Sequence, residues 1–354
     1  MTRYAISQPV TQVEAPRLVS GKGKFTDDIT LPRQTFGVFL RSPYAHAEIV
    51  SIDTSTAAAM PGVVAILTGE DYAADSLEVD FDLLPAVLST ADANAPESHR
   101  IWEECENNEG VFAECGDAAA VDKAIAEAHH VVRDRFVVNR VAACAMEPRA
   151  VVASYDEGPE HFTVHACLQR PYIWRTIMTK HIFDIAEQDM TIIANDVGGS
   201  YGMKGGLYPE VPLVAWAARK VGRPVKWTCE RSEALICDDQ ARDMVVDAEL
   251  ALDENGKFTG IRIKSNNNVG AYITMIGFIS TVGITKTPCG TYATPAGHAQ
   301  AAAVFTNTVP VSNYRAPGGA PGTYVLERII DMAARDMGID PAEIRRRNLI
   351  PPEA

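Results

Sequence analysis

The sequence predicts an α+β fold, in which β-hairpins and helices alternate irregularly instead of forming a regular parallel β-α series. A hairpin is predicted because residues 244–252 and 258–268 alternate in hydrophobicity on either side of a turn-forming stretch at 253–256. An amphipathic helix is predicted because apolar residues recur with helical spacing over 325–337. Patterns of both kinds recur along the chain, which favours a mixed fold.

The first part of the chain is predicted to be rich in short strands. Four elements are expected there: strands at 35–40, 47–52 and 63–67, and a helix at 54–60. Residues 70–110 are acidic and rich in turn-forming residues, so a linker between domains is predicted to begin there. We therefore expect a first domain with its linker over residues 1–110 and a second domain over residues 111–354.

The second part carries clearer signals for the ends of its elements. Asp117 is a typical N-cap for a helix over 118–128. Asp340, followed by Pro341 and then by Glu343, begins another helix. The other predicted elements are strands at 130–138, 150–155, 161–167 and 190–195, and helices at 172–182 and 209–221.

Composition excludes several classes of function. The formal net charge of −14 argues against a nucleic-acid surface. No apolar run is long enough to span a bilayer, and the first residues do not resemble a signal peptide, so we expect no membrane partner. The 7 cysteines form no C-x-x-C pair and the 8 histidines lack ligand spacing, so no metal ligands are predicted. A cytoplasmic protein with reduced thiols is the simplest expectation.

The most informative segment is the glycine-rich stretch at 195–206, between a predicted strand and a predicted helix. Its closely spaced glycines let the backbone approach a bulky ligand and present N–H groups to anionic atoms. It has neither the Gly-Lys-Ser/Thr of a Walker loop nor the G-x-G-x-x-G of a dinucleotide site. Taken alone, such a stretch is more often a plain connection, so both interpretations stay open here.

Two other segments add candidate residues. Gln169 follows an apolar strand and opens the next helix, where its amide can donate a hydrogen bond to an oxo group; an ordinary exposed glutamine is the alternative. Arg315 lies in a Pro/Gly-rich turn at 313–322, where it can hold a carbonyl or an anion in fixed geometry. The alternative is a surface turn in which Arg315 packs on Tyr314.

These three segments, in this order, resemble the large subunit of the molybdenum hydroxylases, the family of xanthine dehydrogenase, aldehyde oxidase and carbon monoxide dehydrogenase. Further family phrases are matched at residues 21–29, 41–47, 61–64, 146–149, 231–233, 327–328 and 345–348. The resemblance covers nearly the whole chain. It implies a shortened a/b hammerhead domain followed by the first molybdopterin-binding domain.

The resemblance also implies roles for individual residues. Gln169 would approach an oxo ligand of molybdenum, and Arg315 would sit beside the substrate and stabilise the charge that grows on it. The residues implied to bind the molybdopterin are Gly198, Gly199, Ser200, Tyr201 and Gly202, with Tyr201 where the family usually has Phe.

The implied reaction is hydroxylation of a small molecule, an aldehyde or an N-heterocycle, with water as the oxygen source. The cofactor would be molybdopterin with molybdenum, in bacteria usually the cytosine dinucleotide form. Electrons would pass to separate 2Fe-2S and FAD-binding subunits, which agrees with the absence of cysteine clusters from this sequence.

Three departures from the family pattern qualify this expectation. The chain is about half as long as family large subunits and lacks the Gly-x-Gly-Glu phrase that carries the general base. Of the nearest acids, Asp196, Glu210 and Glu327, the latter two fall in predicted helices and are expected to be solvated or capping. The hammerhead looks shortened between Asp71 and Asp80. The loop at 313–319 has no cysteine, unlike the copper-binding loop of carbon monoxide dehydrogenases.

Three hypotheses follow for the whole chain. The first is an enzyme component that is completed by another chain supplying the second molybdopterin domain. The second is a non-catalytic, truncated remnant of such a subunit. The third is an unrelated nucleotide-binding enzyme that uses the loop at 198–206.

Overall fold

The computed structural model describes residues 12–69, 71 and 81–351. The chain divides into two units, each assembled from three separate stretches. Unit 1 consists of Met1–Val38, Met146–Gly199 and Tyr208–Cys229. Unit 2 consists of Phe39–Ala145, Ser200–Leu207 and Glu230–Ala354.

The described strands, in chain order, are β1 (Thr35–Phe36), β2 (Ala47–Ile49), β3 (Phe81–Leu83), β4 (Glu109–Gly116), β5 (His130–Val138), β6 (Ala150–Asp156), β7 (His161–Ala166), β8 (Met190–Ile193), β9 (Val225–Thr228), β10 (Met244–Leu252), β11 (Phe258–Gly270) and β12 (Ala296–Phe305). The described α-helices are α1 (Ala15–Val19), α2 (Ser55–Ala58), α3 (Ala118–Glu127), α4 (Pro171–Ile177), α5 (Glu210–Val221), α6 (Arg231–Cys237), α7 (Ile279–Thr285), α8 (Gly319–Asp336) and α9 (Pro341–Asn348). A π-helical turn, Met178–Phe183, continues α4.

Unit 1 is built on a five-stranded mixed sheet in the order β1-β9-β6-β7-β8. Strands β6 and β7 form an antiparallel hairpin, and β8 pairs with β7 in parallel. Val151, Val152 and Ala153 of β6 are buried on both faces of the sheet. Helix α5 packs on β6 because Val214, Ala215 and Ala218 form its buried face. Two candidate segments begin where strands of this sheet end: Gln169 follows β7, and the glycine-rich stretch at 195–206 follows β8.

Unit 2 is built on a second five-stranded sheet, in the order β4-β12-β11-β10-β5. The predicted hairpin of β10 and β11 is present, and Asp253 Oδ1 closes its turn by accepting from the Asn255 and Lys257 amides, each at 2.8 Å. Strand β12 pairs with β11 in parallel, so the chain must cross over between them. Strands β2 and β3 form a separate antiparallel pair.

Helix α8 covers one face of this second sheet. The helix packs on β5 and β10, and five of its predicted apolar residues are buried: Val325, Leu326, Ile329, Ile330 and Ala333. Met337, also predicted on this face, lies just after the end of the helix and is partly buried. The two predicted N-caps are also confirmed. Asp117 accepts from the Ala120 amide at 3.0 Å, and Asp340 accepts from the Ala342 and Glu343 amides at 3.0 Å. Local side-chain chemistry therefore sets where α3 and α9 begin.

The weakest sequence patterns gave the poorest predictions. The stretch at 63–67 forms no strand, and the strand predicted at 35–40 ends at Phe36. Thr35 and Phe36 pair with β9, the Gly37 amide still donates to the Lys226 carbonyl at 2.7 Å, and beyond it Val38 and Leu40 are exposed. The α+β class itself is confirmed. Residues 72–80, where the hammerhead was expected to be shortened, lie outside the described residues, and the division at residues 110 and 111 stays a prediction.

Among the described helices, none combines the length and the apolar composition needed to cross a bilayer.

Candidate functional site

The glycine-rich stretch connects β8 to α5, and the chain passes from unit 1 to unit 2 between Gly199 and Ser200. On the unit 1 side, the Gly198 amide donates to Glu147 Oε2 at 2.8 Å, and the Glu147 amide donates to the Gly198 carbonyl at 3.1 Å. A Cβ atom on Gly198 would lie only 2.5 Å from Glu147 Cβ. The residue at position 198 is therefore glycine because another backbone segment approaches it closely.

On the unit 2 side, the same stretch makes a tight turn. Tyr201 and Gly202 both have positive φ, 56° and 111°. A Cβ atom on Gly202 would lie 2.7 Å from the Asn313 carbonyl oxygen, so this position excludes every side chain. Ser200 is buried, and its hydroxyl accepts from the Lys204 amide at 3.1 Å, which holds the turn.

Three amides of the stretch are not used as donors within the described part of the chain. Among the described residues, none accepts a hydrogen bond from the N–H groups of Gly199, Tyr201 or Gly202. Backbone donors of this kind suit a ligand with exposed acceptor atoms, such as carbonyl or phosphate oxygens. The stretch therefore has available N–H groups in each unit, and its role in binding a cofactor stays a prediction.

Within unit 2 the structure brings together two turns: the one at 313–322 that carries Arg315, called the Arg315 turn, and the one at Tyr201 and Gly202, called the Tyr201 turn. The Arg315 amide donates to the Tyr201 carbonyl at 2.7 Å. The Tyr201 and Tyr314 rings meet edge to face, with centroids 6.3 Å apart. Two of the three candidate segments are therefore joined by backbone and side-chain contacts.

The Arg315 side chain itself is exposed and makes no hydrogen bond or ion pair with any described residue. Among the described residues, its guanidinium makes no cation–π contact with Tyr314. Arg242 occupies that place, with its guanidinium carbon 5.3 Å from the Tyr314 ring centroid. Sequence reasoning did not single out Arg242, because no local pattern marks it.

Gln169 is in unit 1, directly after the buried Cys167 and Leu168 at the end of β7. Its side chain is exposed and has no hydrogen bond to the described part of the chain. Its amide is therefore available to a ligand, and its role towards an oxo group stays a prediction.

Asp196 lies in the glycine-rich stretch but is engaged within unit 1. Arg17 binds both of its carboxylate oxygens, and the Lys24 amide donates to Oδ2 at 2.7 Å. The hydrogen bonds from Arg17 and then from Lys24 hold the pKa of Asp196 below its usual range. A carboxylate held ionised in this way is a poor proton acceptor.

Glu210 was expected to be solvated or to cap a helix, and the solvated role is wrong. It is 3% exposed and forms an ion pair with the buried Arg149, with 2.6 Å between Oε2 and Nη1. The Arg149 guanidinium also stacks on Tyr208, 3.8 Å from the ring centroid. Glu210 lies in the first turn of α5, so the helix N-terminus adds to its stabilisation.

Glu327 is engaged as well, within unit 2. It accepts from the Tyr292 hydroxyl at 2.7 Å and from Arg345 Nε at 2.8 Å. Burial, together with the neighbouring Glu327 carboxylate, raises the pKa of Tyr292 to about 12. Arg345 also pairs with Asp331 at 2.9 Å, so the basic run at the end of α9 ties that helix to α8.

Comparison with known protein families agrees with this architecture. The molybdopterin cofactor-binding domain matches residues 102–349. The a/b hammerhead domain of aldehyde oxidase and xanthine dehydrogenase matches residues 20–87. The chain therefore belongs to the molybdopterin-binding oxidoreductases of the aldehyde oxidase and xanthine dehydrogenase family, and both predicted kinds of domain are confirmed.

Individual relatives cover almost all of this chain. It is 31% identical to the 6-hydroxypseudooxynicotine dehydrogenase complex subunit gamma of Paenarthrobacter nicotinovorans, over 98% of this chain and 50% of that protein. It is 30% identical to the carbon monoxide dehydrogenase large chain of Hydrogenophaga pseudoflava, over 95% of this chain and 49% of that protein. Quinoline 2-oxidoreductase from Pseudomonas putida 86 has a similar structure, with a TM-score of 0.91, 29% identity, and coverage of 99% of this chain and 51% of that chain. The chain thus spans about half the length of the relatives that it matches.

Proposed function

We propose that this chain is a component of a molybdenum-dependent hydroxylase that oxidises an aldehyde or an N-heterocycle with water as the oxygen source. The observation that carries the proposal is the hydrogen bond from the Arg315 amide to the Tyr201 carbonyl, which joins the predicted substrate-binding turn to the predicted cofactor-binding turn. Proteins named nicotine 6-hydroxylase large subunit and quinoline 2-oxidoreductase are among its relatives, and both names refer to N-heterocycles.

The glycine-rich stretch fits a molybdopterin by the chemistry of its backbone. The N–H groups of Gly199, Tyr201 and Gly202, from which no described residue accepts a hydrogen bond, supply donors for a polar cofactor. We assign Gly198 and Gly199 in unit 1, and Ser200, Tyr201 and Gly202 in unit 2, to cofactor binding. The cytosine dinucleotide form is the one we propose, and when bound it supplies the redox chemistry.

The protein would contribute orientation and electrostatic stabilisation. Gln169 would donate a hydrogen bond to the cofactor from its exposed side-chain amide. Arg315, with N–H donors that no described residue occupies, would hold the substrate oxygen or ring nitrogen and stabilise negative charge there.

The three acids nearest the matched segments are poor candidates for the general base. Asp196, Glu210 and Glu327 are each bound to an arginine. We therefore propose that a partner chain supplies the second molybdopterin domain and its carboxylate. The names of relatives, which include "subunit gamma", "large chain" and "large subunit", support a multi-subunit enzyme, and we propose 2Fe-2S and FAD-binding subunits as the other partners.

The test is expression of this chain alone and together with a chain that carries the second domain. Molybdenum content and dye reduction would be measured with an aldehyde and with an N-heterocycle. We expect little metal and no turnover in the lone chain, because a cofactor held by one domain alone leaves much of its surface in water. Metal and turnover in the co-expressed complex would support the proposal. If both preparations lack metal, the chain is the non-catalytic remnant.

A further inference from the structure

We propose that Arg242 is a positioning residue that fixes the Arg315 turn. It donates from Nη2 to the Arg315 carbonyl at 2.8 Å and from Nη1 to the Ala316 carbonyl at 3.1 Å. Its guanidinium also lies over the Tyr314 ring. One side chain thus contacts three successive residues, and the middle one, Arg315, is the residue proposed to bind the substrate. We call the contacts of Arg242 with Tyr314, Arg315 and Ala316 the clamp. The role of Arg315 towards a substrate rests on the proposed function, whereas the clamp does not.

Backbone strain is concentrated at these contacts. Tyr201, Arg242, Asp243 and Ala316 all have positive φ, at 56°, 69°, 56° and 61°. Residues other than glycine rarely adopt this conformation, and it persists only where surrounding contacts hold it. Ala316 has no polar side chain to stabilise its own backbone, so the bond from Arg242 to its carbonyl is a contact that holds it in place.

Arg242 is itself anchored through the next residue. The Asp243 carboxylate accepts from Thr90 Oγ1 at 2.6 Å, from Arg140 Nε at 2.8 Å and from Asn268 Nδ2 at 3.0 Å. Asn268 is buried in β11, so this network ties Asp243 to the second sheet. The turn that carries Arg315 is therefore connected through Arg242 and Asp243 to a rigid part of unit 2.

An arginine is required for this role. Burial lowers the pKa of Arg242, so placing the cation here is costly and its hydrogen bonds must offset that cost. The planar guanidinium reaches two carbonyl oxygens while it stacks on a ring, and a lysine ammonium cannot do both. The geometry therefore predicts that Arg242→Lys keeps the charge and loses the clamp.

The first measurement uses the chain without cofactor. Amide hydrogen exchange over residues 313–319 would be compared in the wild type, Arg242→Lys, Arg242→Gln and the control Arg135→Gln. Arg135 is an exposed arginine on β5 of the second sheet, where it pairs with Asp247 of β10. Losing the clamp should speed exchange in this segment by about 10- to 100-fold. The control should exchange as the wild type does. Unchanged exchange in both Arg242 variants would overturn the inference.

The second measurement uses the co-expressed complex and a double-variant cycle. If Arg242 acts through Arg315, then Arg242→Gln together with Arg315→Met should turn over no more slowly than Arg315→Met alone. Additive losses would mean that Arg242 does not act through Arg315 and would overturn the positioning role. If the wild-type complex proves inactive, the proposed function fails, and the exchange measurement alone decides on Arg242.

Discussion

The amide of Arg315 donates to the carbonyl of Tyr201 at 2.7 Å, so two turns far apart in the sequence are held together by main-chain atoms. Because side chains take no part in this bond, a substitution at either position can leave it in place. The guanidinium of Arg315 can therefore be removed without separating the two turns, and its contribution to catalysis can be measured.

In the assembled complex, Arg315→Met should lower turnover by about 100- to 1000-fold, as expected when one electrostatic contact to the transition state is lost. Molybdenum content should stay unchanged, because no predicted cofactor contact is removed. Arg328→Met is the matched control, since Arg328 is an exposed arginine on α8 whose ion pair with Asp331 is long, at 3.8 Å. Wild-type kinetics in the Arg315 variant would show that this arginine does not act on the substrate.

The complex should not oxidise carbon monoxide, although two relatives are carbon monoxide dehydrogenase large chains. The copper of such enzymes needs a soft thiolate ligand, and the turn at 313–319 contains no cysteine. Dye reduction under carbon monoxide, with and without added copper, is the measurement. Copper-dependent oxidation would contradict this expectation.

Gly202→Ala should destabilise the chain by about 2 to 3 kcal/mol, because alanine is strained at a φ of 111° and its Cβ would meet the Asn313 carbonyl. Gly319→Ala is the control, since a Cβ atom there meets nothing within 4 Å. Urea unfolding of both variants would measure the difference. Equal stability would mean that the Tyr201 turn is not held as described.

Glu210→Gln should lower the free energy of unfolding by about 3 to 5 kcal/mol, because it removes the negative charge from a buried ion pair. The partly exposed pair of Glu343 with Arg347 offers a control. Glu343→Gln should leave the free energy of unfolding nearly unchanged. The comparison requires only denaturant unfolding of the lone chain. Similar effects in the two variants would contradict the structural importance of the buried pair.

Asp196 should make the free energy of unfolding depend on pH. Its pKa is lower in the folded chain than the ordinary value of 3.8, so the carboxylate stabilises the fold above that pH. This contribution is lost as the pH falls from 3.8 through the folded pKa. Asp196→Asn and Arg17→Met should both weaken the pH dependence of unfolding in this window. A wild-type pH profile in both variants would exclude a role for the Arg17 ion pair.

The sequence predicted the elements whose signals are local. Helices α3 and α9 follow from their N-cap aspartates, and α8 follows from its apolar spacing, because each depends on residues within a turn or two. The glycine-rich stretch was recognised for the same reason. The strand predicted at 63–67 was wrong because a strand needs a partner, and a short apolar run does not specify one.

The parts of the site that sequence reasoning missed depend on distant partners. Arg242 holds a carbonyl 74 positions later in the chain, and Glu210 is buried because Arg149, 61 positions earlier, lies beside it. A basic residue after a helix and an acidic residue at the start of one are ordinary surface patterns. Only the fold shows that Glu210 is buried and that Arg242 reaches the carbonyls of Arg315 and Ala316.

The division of each unit among three stretches of chain also has a consequence for how the protein forms. Thr35 donates to the carbonyl of Pro224 across 189 positions, and among the described strands β1 pairs with β9 alone. During synthesis, β1 must therefore wait unpaired until the 189 positions that separate Thr35 from Pro224 have been made. Closing so long a loop costs entropy before any pairing repays it, and contacts of this range slow folding. We expect the nascent chain to depend on protection from aggregation until β9 has emerged.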